Sequence, residues 1–150
     1  MKKSLFDTVA AMVPDSKNVH AEHNNYIDTY FNSGFSCPGV FVGFDFFVED
    51  DRRAFSDFLR AIGRKKTLTV RIVKQSYCVA GVTVWNSADV PALDWIESEK
   101  AAAVAEYWNR DHALRVAGVS DNDRRDIMRK FYDDAVRAFQ AKYNRVVRIA

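Results

Sequence analysis

Cysteine is almost missing from this 150-residue chain: Cys37 and Cys78 are the only two, far apart and in no CxxC spacing. That excludes a disulfide-stapled secreted scaffold and points to reduced thiols. Glycine and proline are scarce, at 6 and 3, which excludes a collagen-like or linker-rich chain. No apolar run approaches the roughly 18 residues that a membrane-spanning helix needs. Met1-Lys2-Lys3-Ser4 starts like the basic end of a signal peptide. Asp7 follows at once, and the apolar stretch runs only from Val9 to Val13 before Pro14 and Asp15. The expectation is therefore no export signal, no membrane partner and a cytoplasmic location. Catalytic signatures are missing too: there is no GxSxG elbow, no HExxH spacing and no glycine-rich phosphate cradle.

Aromatic residues are plentiful, with 11 Phe, 6 Tyr and 3 Trp. Net charge is only +2, but its distribution is uneven. From Phe58 to Ala88 there is no acid, while Arg60, Arg64, Lys65, Lys66, Arg71 and Lys74 fall there. Acidic blocks flank this window, and the last third turns basic again. Such alternation fits either a salt-laced helical surface or a basic patch for an acidic partner.

Ser4 and Asp7 have the spacing of a capping box, and Leu5, Phe6, Val9 and Val13 recur at helical spacing up to Pro14. A second helix is predicted from Asn18 to Phe31, and a turn at Ser36 to Gly39. Val40 to Val48 reads as a strand apolar on both faces. Glu49-Asp50-Asp51 opens a helix with a stripe of Ala54, Phe55, Phe58 and Ile62, ending at Gly63. Thr67–Lys74 and Tyr77–Asn86 read as a hairpin. A long helix is expected from about Ser87 to Gly118, then one capped by Ser120 and Asp123, then a short strand at Val146–Ile149. The fold class is α+β. The order β-α-β-β-α resembles a ferredoxin-like antiparallel sheet with extra N- and C-terminal helices. The organisation implied is one domain over 1–150, with a helical extension at 1–38 and a sheet-and-helix core at 39–150.

No side-chain cluster identifies a catalytic centre, and the expectation is a protein without cofactor or bound metal. In His20-Ala21-Glu22-His23, the nearest thing to a metal cluster, His20 and His23 would share a helical face and could supply two ligands, but a zinc site needs at least a third protein ligand. Asp45 and Glu49-Asp50-Asp51 lack the acid and lysine that a nuclease adds on the next strand. By strand parity, Phe41, Asp45, Phe47, Arg71, Tyr77, Thr83 and Trp85 share one sheet face. Aromatics beside arginine suit stacking on single-stranded nucleic acid. The strand–helix order is similar to that of RNA-recognition motifs, though the basic-Gly-aromatic opening of their signature is missing at Gln75–Val82. The expected binding residues are Arg64, Lys65, Lys66, Arg71, Lys74, Tyr77 and Trp85. The reading these features favour is a small non-catalytic regulator or inhibitor that binds a protein partner or self-associates as a homo-oligomer. An origin in a phage or mobile element, acting on host machinery, belongs to that reading. The alternative is a single-stranded nucleic-acid-binding protein; a third is a small enzyme with an inter-subunit pocket using His20, Glu22 or Asp45.

Overall fold

The computed structural model describes residues 3–14, 19–45, 49–75 and 79–148. Its first helix, α1 (Leu5–Ala10), opens as the capping box predicts: the Ser4 hydroxyl accepts from the Asp7 amide at 3.1 Å. Strands β1 (His20–His23), β2 (Tyr26–Ile27), β3 (Ser36–Cys37) and β4 (Gly39–Asp45) follow. Helix α2 (Glu49–Gly63), the hairpin β5 (Leu68–Gln75) and β6 (Val79–Asn86), and two long helices, α3 (Val90–Val116) and α4 (Asp121–Tyr143), complete the chain. This is an α+β arrangement of helices with an antiparallel sheet.

The helix predicted over Asn18 to Phe31 is not formed. Val19 and Ala21 turn towards the core while His20 and Glu22 are exposed, an alternation of period two that makes β1 a strand. Likewise Ser36-Cys37 and Gly39 belong to strands, not to a free turn. Over the described part of the expected closing strand, Val146 to Arg148, the chain is helical as well, because Asn144–Arg148 continues α4 as a wider helical turn; Ile149 lies outside the described residues.

The contacts cluster into two compact units, Met1–Tyr26 with Ser36–Pro91 and Ile27–Phe35 with Ala92–Ala150. The first is built on a four-stranded sheet in the order β1-β4-β6-β5, antiparallel throughout. Val40, Val42, Phe44, Ala80, Val82 and Val84 fill one face. Helix α2 lays Ala54, Phe55, Phe58 and Ile62 on that face, and α1 adds Val9, which is wholly buried. Each such aliphatic contributes about 1.5–3 kcal/mol by leaving water. Both helices therefore shield the same valine-rich side.

In the second unit α3 and α4 form an antiparallel hairpin, joined at Gly118, whose φ of 79° suits a glycine. Ser120 caps α4 through the Asp123 amide at 3.2 Å, as its spacing predicts. Asp111 and Arg124 pair across the corner at 2.9 Å. Further along, Arg110 lies 4.6 Å over the Phe131 ring. Trp95 stacks with Phe139, which also stacks on Phe31 at 3.8 Å between centroids.

Candidate functional site

The ladder register sets Phe41 opposite Thr83, Thr83 opposite Arg71, and Gly39 opposite Trp85. Phe41, Thr83, Trp85 and Arg71 thus share one face, as parity predicts; Phe47 and Tyr77 lie outside the described residues. The two rings on this face lie over glycines. Phe41 covers the cross-strand pair Gly43 and Gly81, where a Cβ on Gly81 would sit 2.5 Å from the ring. Trp85 lies across Gly39, beside the Asn24 carbonyl, and is only 8% exposed. Its expected place as a surface ring is corrected by that burial: Trp85 packs across Gly39 of the neighbouring strand β4.

The remaining expected binding residues in the described segments stand on two elements, the turn after α2 and strand β5. Arg64, Lys65 and Lys66 are exposed on the turn after α2, whose backbone is held by Lys65 to the Ile62 carbonyl at 2.9 Å and Ser87 to the Lys66 carbonyl at 3.1 Å. Arg71 is exposed in mid-strand, and Lys74 pairs with Gly81 in the ladder.

The candidate chemical groups separate in the same way. On a strand, His20 and His23 point to opposite faces. His20 bonds Glu22 at 2.7 Å in the open, whereas His23 stacks on Phe6 at 4.3 Å. Asp51 is fully buried and accepts from the Asp45 amide at 3.3 Å, while Glu49 pairs with Arg53. Among the described residues, no three His, Cys, Asp or Glu side chains gather to hold a metal. Burial, with the Asp89 charge adding to it, pushes the Cys37 thiol up to about 11, so it is not a ready thiolate.

A site that the sequence reading missed lies in the helical unit. A groove of about 430 Å³ runs beside the α3–α4 seam. Helix α3 supplies Val104, Tyr107 and Trp108; helix α4 supplies Arg125, Met128, Arg129 and Tyr132. Both sets recur at i, i+3 and i+4, which is one face of each helix. Trp108 is 60% exposed, unusual for so large a ring.

Tyr30 closes the groove from the loop Ile27–Phe35, and a carboxylate organises that loop. Asp28, 5% exposed, accepts from the amides of Tyr30 and Phe31 and from the amide and hydroxyl of Ser33, the last at 2.6 Å. Burial raises its pKa, but the Ser33 hydroxyl and the three amides outweigh burial and hold the carboxyl below its ordinary value. Helix α4 then fastens the loop. The Tyr132 hydroxyl donates to the Tyr30 carbonyl, and the Gln140 amide donates to the Phe31 and Asn32 carbonyls at 3.1 and 3.3 Å. Burial and the neighbouring Tyr132 and Tyr107 raise the Tyr30 phenol, so it stays a neutral hydrogen-bonding ring at neutral pH.

The groove's charge is equally specific. Elsewhere on the hairpin, arginines are neutralised: Arg110 by Glu106, Arg115 and Arg124 by Asp111, Arg137 by Asp134. Arg125 and Arg129 are exposed, and neither forms an ion pair among the described residues. Among the described residues, no carboxylate lines the groove. What the arrangement offers is an apolar aromatic trough with two cations on its rim. No protein-family model, curated protein or solved structure matches this chain.

Proposed function

We propose that this protein is a non-catalytic binding module, a regulator or inhibitor that grips a protein partner through the α3–α4 groove. The observation that carries the reading is the groove's composition: exposed Trp108, three tyrosines and two arginines around an apolar floor. Tyr, Trp and Arg are the residues that dominate binding energy at protein interfaces. Tyr30 is held in place by Asp28 before any partner arrives, which lowers the ordering cost of binding. The sheet supports the same division of labour. With β6 between β4 and β5, and β1 at the edge next to β4, we read it as a ferredoxin-like variant. Its fourth strand comes from the N-terminal side and not from after the second helix. In this reading the sheet is scaffold and the hairpin carries the contact.

Selection of a displayed peptide library on the immobilised full chain tests this. Enriched peptides that lose binding to Trp108→Ala are the expected result. Enrichment of none, or of peptides indifferent to Trp108→Ala, would overturn the reading.

A further inference from the structure

We infer that the partner element which fills this groove is an acidic amphipathic helix, laid along α3 and α4 as a third helix; the inference rests on the protein-binding reading above. Three observations lead there. The first is shape. Arg125 to Tyr132 covers eight residues of α4, seven steps of 1.5 Å or about 10 Å, and the α3 lining runs beside it. A trough between two parallel-running helix faces is what a third helix meets when its ridges enter their grooves.

The second is the backbone. An extended segment docks best where a sheet edge offers free N–H and C=O groups. Along α3 and α4 those groups are engaged within the helices, so the trough presents side chains alone. A helix, which satisfies its own backbone, loses nothing by entering it.

The third is charge. Arg125 and Arg129 stand one turn apart on the rim, i and i+4, with no carboxylate among the described lining residues. A partner helix with Asp or Glu at the same i, i+4 interval would meet both, beside apolar residues seated against Trp108 and Met128. A second copy of this chain is disfavoured by the same feature. A two-fold contact through this groove would set each arginine pair against its twin.

The test uses the full chain and three labelled peptides read by fluorescence anisotropy. One is a Leu/Ala amphipathic helix flanked by Glu, one is that peptide with every Glu replaced by Lys, and one is a proline-rich extended peptide with the same acids. The acidic helix should bind roughly tenfold or more tightly than the other two. The double variant Arg125→Glu/Arg129→Glu should reverse the preference towards the Lys peptide. Both sites are exposed, and circular dichroism confirms that the variant is folded. Equal or better binding of the Lys or the extended peptide, or a double variant with unchanged preference, would overturn the inference. Failure of all three peptides while display selection still yields Trp108-dependent binders defeats the acidic helix alone. Failure of both experiments defeats the binding reading with it.

Discussion

Asp28 shows how one side chain converts a loop into part of a site. Its two oxygens take four hydrogen bonds within the segment Tyr30–Ser33 and so fix where Tyr30 and Phe31 leave the chain. Replacement by Ala leaves buried amides without an acceptor, at about 1–3 kcal/mol, and frees Tyr30 from the groove. The folded pKa of Asp28 lies below its unfolded value. Its contribution to stability is therefore present above the unfolded pKa and is lost as pH falls through the folded one. Thermal melts from about pH 5 to about pH 3 should show a larger loss of Tm for the natural chain than for Asp28→Asn. Equal slopes would remove Asp28 from this account. In the sequence, Asp28 sits within an apparent helical stripe of Tyr26, Ile27, Tyr30 and Phe31, which hides its role. One signal was available: Asn32-Ser33-Gly34, with its serine five residues after Asp28, has the composition of a side-chain-closed turn.

At the scale of elements, legibility follows the length of the pattern. Helices α2, α3 and α4 run over 15, 27 and 23 residues, close to where the sequence places them, and Ser120 caps α4 as its spacing predicts. Strand β1 has four residues, too few for period two to stand out from a helical spacing. The corner between α3 and α4 was legible as a corner, but its chemistry was not. There Arg124 stands with 15% of its side chain exposed, bonded to Asp111 and Asp121. Asp111 itself is 8% exposed. Arg124→Ala should cost roughly 1–3 kcal/mol, because it leaves a buried carboxylate with only the longer contact to Arg115 at 3.4 Å. The double variant Asp111→Leu/Arg124→Leu should recover most of that loss in urea melts, since no charge is then stranded. A double variant as unstable as the single one would show that the corner needs the ion pair itself.

Across the whole molecule, the sheet's strand parity was readable because alternation needs only local sequence. Which helices cover which face was not, since that depends on where distant segments settle. Phe41 and Trp85 illustrate the gap. Counting residues puts them on one face, but only the register shows that Gly39, Gly43 and Gly81 give their rings somewhere to lie. The groove was invisible for a related reason: its residues come from three segments, at positions 30, 104–108 and 125–132, and each fragment reads as ordinary helix or loop. These placements make opposite demands on Trp85. If it were a stacking platform, Trp85→Ala would leave stability intact and weaken single-stranded DNA or RNA binding. As a buried lid over Gly39, its removal should instead destabilise the fold by about 3–5 kcal/mol. With 22 basic and 20 acidic residues nearly balanced, and Arg64, Lys65 and Lys66 the one exposed basic run expected to meet phosphate, nucleic-acid affinity should be weak. The slope of log K against log salt should correspond to about three phosphate contacts or fewer, roughly −2 for a single strand. Filter binding over a salt series, on the natural chain and on Trp85→Ala, measures affinity directly, while a urea melt measures stability. Tight binding with a steep slope that vanishes in a stably folded Trp85→Ala would transfer the functional surface from the hairpin groove to the sheet.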